Sequence, residues 1–152
     1  VYSHSMNVSV FASLFAIGLG YKNIEDFAIA GLFHDLGLAG AQVDLEEKDL
    51  ASLGEEEKKI YHAHPEKTIE SLKDKRMIIS PLVQKMILQH HENYDRSGFP
   101  SAYSGDKICA EAQILQLASL FDVLTRYTRG SSRLSPEQFA EKIKGDRKYN
   151  PE

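Results

Sequence analysis

Apolar residues recur at helical spacing along almost the whole chain, and several of the stripes run straight into histidine or aspartate. The first takes Val8, Phe11, Leu14 and Phe15 and stops at Gly18 and Gly20. A second, with Asn23 as its cap, passes through Phe27, Ala30, Leu32 and Phe33 to His34 and Asp35, where Gly37 and Gly40 break it. Ser80 followed by Pro81 combines a side-chain cap with a proline in the first turn. It opens a helix through Val83, Met86 and Ile87 that ends at His90 and His91. A chain of this pattern must pack helix against helix, and it delivers imidazoles and carboxylates at helix ends.

The remaining segments fit the same plan. Ser52 and the acidic run after it open a third helix. Pro65 is expected to start a fourth, with His64 in extended backbone before it, because proline disfavours the helical conformation in the preceding residue. The stretch 93–107 contains Gly98, Pro100 and Gly105 and reads as a loop, and 108–127 as a long amphipathic helix. Ser135, Pro136 and Gln138 form a capping-box start to a last short helix. No alternating strand pattern, repeat or low-complexity segment is present. The expectation is one all-α domain over residues 1–152, a compact bundle of roughly six to eight helices with a metal site between them.

Composition narrows the function. With 152 residues, 42% of them hydrophobic, the chain can bury one core. A net charge of -4 and a pI of about 5.9 argue against binding nucleic-acid polymers. A single cysteine, Cys109, allows no internal disulfide and points to a reducing, cytoplasmic setting. No apolar run reaches the roughly 18 residues of a membrane span. The N-terminus is neither basic nor signal-like, has no initiator methionine and begins in mid-pattern. That is expected of a fragment that has lost an N-terminal partner domain.

The chemistry lies in an ordered series: His34 with Asp35, then His64, then His90 with His91, and a late Asp122. Neighbours on a helix point about 100° apart, so each adjacent pair can face two directions, and Asp35 can bridge. His62, two residues before His64, is assigned to the surface. Imidazoles with carboxylates suit iron, manganese or zinc. A pair of such ions can clamp both the attacking and the leaving oxygen of a phosphoester.

Taken together, LFHDLG, HAHPE, HHENYDRSGFP and the stretch from Ile108 through ASLFDVLT resemble the HD-GYP family, a branch of the HD phosphohydrolases, over nearly the whole chain. The resemblance implies a helical domain that binds two or three metals, often iron or manganese, and hydrolyses cyclic di-GMP. It implies that His34, Asp35, His64, His90 and His91 are metal ligands, and it matches His4 to the histidine that opens the family pattern.

Several family positions differ. The tyrosine of GYP is Phe99, the lysine after HD-x-G is Leu38, and a loop glycine is Arg96. Ser119 stands where the family's last metal ligand usually falls, and Asp122, one helical turn on, is taken as its replacement. Arg96, Arg126 and Arg129 are candidate phosphate contacts, with Arg133 beyond them. Asp35 is the expected catalytic bridge, and Asp95 is expected to orient the substrate loop or a ligating histidine. Three functions stand open: a cyclic di-GMP phosphodiesterase, slow or degenerate; a non-catalytic metal- and nucleotide-binding module that signals through protein partners; and an HD phosphohydrolase for a related nucleotide.

Overall fold

The computed structural model describes residues 2–39, 52–126 and 133–151. Six α-helices are described: α1 (Tyr2–Gly18), α2 (Ile24–Phe33), α3 (Glu55–Asp74), α4 (Pro81–Gln89), α5 (Ala110–Thr125) and α6 (Pro136–Ile143). Short 3-10 turns cover Leu36–Leu38 and Gly105–Lys107. Among the described residues there is no β-strand, only an isolated antiparallel bridge between Asp95 and Ser104. The fold is the all-α bundle that the periodicity implies. Gly40, Tyr127 and Arg129 lie outside the described residues.

Local chemistry explains most boundaries. The Ser80 hydroxyl accepts from the Val83 N–H at 3.1 Å, with Pro81 at the first helical position, so α4 starts where the sequence says. At α6, Ser135 and Gln138 close the reciprocal capping box. Asn23 does occupy the cap position of α2, but its amide donates to Asp26 at 3.1 Å and caps no backbone. The Ser80 hydroxyl also donates to Asp26, at 2.9 Å, and so ties α4 to the start of α2. Ser80→Ala is expected to lower stability by about 1 kcal/mol in urea denaturation, and to leave metal content unchanged.

Two readings are corrected. Pro65 does not begin a helix: it lies inside α3, and His64 is helical and fully buried there. Proline lacks the N–H that would bond the carbonyl of the fourth residue back, here Tyr61. That carbonyl is instead taken by the His64 ring, Nδ1 to O at 2.5 Å, which answers the lost bond within the helix. The buried stripe of α1 is also rotated from the expected one. Val8, Ala12 and Ala16 are fully buried, whereas Leu14 is 55% exposed. Small residues win the inner face because α1 approaches α2 closely. A Cβ added at Gly31 would stand 2.5 Å from Ser9 Cα.

The core is shared by α1 to α5, with Val8, Phe27, Leu72, Met86 and Leu115 among its fully or nearly fully buried members. It sits beside the polar cluster and fixes the helices that carry it. The turn Leu36–Leu38 lies against α3. There Thr68 Oγ1 accepts from Gly37 N at 2.8 Å and donates to His34 O at 3.1 Å. The segment after α2 is thus stitched to the helix that carries His64.

Candidate metal centre

Asp35 is the hub of the cluster and is 5% exposed. Its Oδ1 faces His64 Nε2 at 3.2 Å and His90 Nε2 at 3.6 Å. Its Oδ2 faces His34 Nε2 at 3.1 Å and His4 Nε2 at 3.8 Å. Two donor sets share this carboxylate. One is Asp35, His64, His90 and His91; the other is His4, His34 and Asp35. Within each set the ligand atoms lie within 4.8 Å of one another.

The rings are aimed by the backbone. His34 Nδ1 meets Gly31 O at 2.8 Å, His64 Nδ1 meets Tyr61 O at 2.5 Å and His90 Nδ1 meets Ile87 O at 2.6 Å. A carbonyl only accepts, so each Nδ1 carries the hydrogen and each neutral ring points an Nε2 lone pair inward. His34 and His90 do this at helix C-termini, where the last carbonyls have no intrahelical donor. His64 does it in mid-helix, where Pro65 has no N–H to donate to the Tyr61 carbonyl. One local device thus aims three rings.

This arrangement tests the fit of a metal. Lone pairs of His64 and His90 face a carboxylate oxygen, and their own Nε2 atoms lie 3.4 Å apart. Asp35 Oδ1 is buried with no hydrogen bond closing on it. Acceptors converging on acceptors in a buried site are unfavourable, and a cation is the group that resolves them. Burial alone would raise the Asp35 carboxyl; the charge of His34 and the polar contacts with His34, His64 and His90 outweigh it and hold it well below the ordinary range. Burial, with the charges of His34 and His64, pushes His90 down to about 4. His91 is pushed well down by burial and by His90 and His64. Asp35 therefore offers an ionised carboxylate, and His90 and His91 offer neutral imidazoles, near neutral pH, the protonation states that metal binding needs.

Asp122 stands against His4. Its Oδ2 accepts from His4 Nδ1 at 2.6 Å, and its Oδ1 accepts from the Asn7 amide at 2.7 Å. Arg126 Nη1 stands 3.8 Å from Oδ2. The residue grips His4 from behind. Ser119 Oγ lies on the other side of that ring, 3.3 Å from His4 Nε2.

The loop residues frame the site without joining the cluster. Asp95 is exposed and accepts from the Ser97 N–H at 3.0 Å and the Ser97 hydroxyl at 2.6 Å, bonds that lower its carboxyl. Arg96 has φ 71°, a conformation that favours glycine, and its Nε donates to Ser104 at 3.0 Å. The family glycine at this position has a backbone reason. Leu38 is buried in a small apolar group with Leu53 and Tyr61. His62 is exposed, yet its ring lies 4.5 Å from that of Phe99, which stacks on His91 at 4.6 Å.

Sequence reasoning missed Glu92, Asn7 and Thr68 as supports. Glu92 is 1% exposed and accepts from Ser101 N at 2.7 Å and Tyr103 N at 2.8 Å, so it pins the loop across from the cluster. Its position directly after His90 and His91 was the available signal; Thr68 was signalled by lying one turn after His64.

The chain matches the HD domain family model over residues 8–151. It is 30% identical over 108 residues to the cyclic di-GMP phosphodiesterase response regulator RpfG of Xanthomonas campestris pv. campestris, covering 71% of this chain and 28% of that protein. It is also 30% identical over 126 residues to the 3'3'-cGAMP-specific phosphodiesterase 3 of Vibrio cholerae, covering 80% of this chain and 26% of that one. This chain thus spans little more than a quarter of the length of either relative. Its fold is similar to that of Bd1817, an HDG"Y"P protein from Bdellovibrio bacteriovorus, with a TM-score of 0.77 at 21% identity, over 99% of this chain and 48% of that one. Among the described residues no helix is long and apolar enough to cross a membrane. With the model match running from the first helix to the last, and with the histidines and aspartate of its motifs gathered at one point, the chain belongs to the HD domain family, in line with the HD-GYP resemblance of its sequence.

Proposed function

We propose that the chain is a metal-dependent phosphodiesterase of the HD-GYP kind that hydrolyses cyclic di-GMP slowly. The observation that carries this reading is the Asp35 carboxylate, which presents one oxygen to each of two imidazole sets. Asp35, His64, His90 and His91 would hold one transition-metal ion, and His4, His34 and Asp35 a second; the donors suit iron, with manganese or zinc as alternatives. When bound, such ions neutralise phosphoryl charge and make water nucleophilic near neutral pH. The rest is the work of the chain. The carbonyls of Gly31, Tyr61 and Ile87 hold three rings in one tautomer. Phe99 and Tyr61 cover His91 on the loop side, and Glu92 holds that loop in place.

Low turnover follows from what surrounds the cluster. Leu38 offers no cation and lies in an apolar group, so Leu38→Lys would bury an ammonium there at a cost to stability. Arg96 Nε is directed to Ser104, and Arg126 lies 3.8 Å from Asp122, so a phosphate would compete with those contacts for either guanidinium. Poor positioning alone lowers rates by about a hundredfold.

The test is conversion of cyclic di-GMP by the chain loaded anaerobically with ferrous iron or manganese, with 3'3'-cGAMP run in parallel because relatives of both names match. Turnover below about 1 per second is expected. Faster hydrolysis of 3'3'-cGAMP would reassign the substrate. No hydrolysis of either by a metal-loaded chain would favour the non-catalytic signalling module. Phe99→Tyr is expected to raise turnover by up to roughly a hundredfold at unchanged metal content, since it restores a hydroxyl donor beside the cluster.

A further inference from the structure

The two donor sets around Asp35 are unequal. The His64 side has three imidazoles and a carboxylate oxygen, a full set for a four-coordinate ion. Among the described residues the other side has His4, His34 and the second oxygen of Asp35. The residue flanking its open flank is Ser119, whose un-ionised hydroxyl adds no charge and is a poor ligand. Asp122 is not among the described residues whose ligand atoms converge with Asp35; its oxygens accept from His4 and Asn7.

These contacts also set the state of His4. Nδ1 donates to Asp122, so the Nε2 lone pair faces the cluster, and the Ser119 hydroxyl donates to it. An ion arriving on this side would break that hydrogen bond and receive no new negative charge from Ser119 in return. Asp122 works in the opposite direction. A carboxylate behind a ligating histidine fixes its tautomer and raises its basicity, an effect worth roughly 10–100-fold in affinity.

We propose that the centre loads in two separate steps, a tight ion on the His64, His90 and His91 side and a much weaker one on the His4 and His34 side, with Ser119 weakening the second step and Asp122 sustaining it as a positioning residue for His4. This rests on the metal reading given above, and it makes the two-ion state dependent on metal concentration.

Manganese binding to the chelator-stripped chain, followed by equilibrium dialysis and by electron paramagnetic resonance, tests it. Two classes of site are expected, separated by at least about tenfold in Kd, with the spin-coupled signal of a manganese pair appearing only as the weaker class fills. Ser119→Asp should tighten the weak class by roughly tenfold or more, and bring the coupled signal in at lower manganese. Asp122→Asn should loosen the weak class by roughly 10–100-fold and leave the tight class in place. A merely structural role for Asp122 would instead loosen both classes together and lower the melting temperature of the metal-free chain. Two equal classes in the wild type, or an Asp122→Asn variant whose classes are both unchanged or both loosened, would overturn the inference while leaving a two-metal centre standing. No manganese binding at all would overturn the metal reading itself, and the inference with it.

Discussion

Asp35→Asn should strip the centre of its ions and make the metal-free chain less stable near neutral pH. The carboxylate serves both donor sets, one oxygen to each, so its loss weakens both. Any hydrolysis should fall by roughly a thousandfold or more, the loss expected when several kcal/mol of charge stabilisation disappear. Stability falls with it, because the surroundings hold the Asp35 carboxyl well below the ordinary range, and an ionised group so favoured by the fold stabilises it at neutral pH. Thermal unfolding of both chains in chelator, alongside elemental analysis, reads the two effects together. A variant that keeps its metal would show that Asp35 does not hold the ions.

The second large effect is expected at Gly37. A Cβ there would lie 2.3 Å from the His64 carbonyl oxygen and 2.8 Å from Thr68 N. Both are backbone atoms of α3, so no side chain can swing aside. Gly37→Ala must push the turn Leu36–Leu38 off α3, straining the hydrogen bonds that Thr68 makes to Gly37 and His34. The loss should be roughly 3 kcal/mol, at the upper end of ordinary overpacking. Because His34 and Asp35 immediately precede this turn, metal affinity should fall as well. Urea denaturation and manganese dialysis on the same preparation test both parts. Wild-type stability would mean that the turn has room the geometry denies it.

The parts of this molecule that are written locally were legible in the sequence. Ser80 with Pro81, and Ser135 with Gln138, start helices because a hydroxyl and a short-range backbone N–H are all such a start requires. The adjacent pairs His34 with Asp35 and His90 with His91 were readable for a related reason: they sit where apolar stripes stop. Pro65 was misread because the local rule for the residue before proline yields to packing. Pro65 and His64 are both buried, and the carbonyl left over by the proline has a partner in the imidazole. The contact between Asp122 and His4 was not legible: the two lie 118 residues apart, and no pattern of spacing reveals which residue of one helix turns toward a ring at the other end of the chain. The same holds for Glu92, whose loop contacts depend on how residues 101–103 fold back.

Hanging ligands on helix-terminal carbonyls has a kinetic consequence. The last turns of α2 and α4 are where helices fray, opening and closing far below the cost of global unfolding. Each such opening would let go of Gly31 O or Ile87 O and free the ring of His34 or His90 to rotate. His64 is different: its carbonyl lies in the middle of a twenty-residue helix, held from both sides. The cluster therefore has one fixed post and two hinged ones. A bound ion would hold those ends shut, so amide exchange in the last turns of α2 and α4 is expected to slow in step with metal loading. The stiffness of two helix termini becomes a reading of how full the centre is.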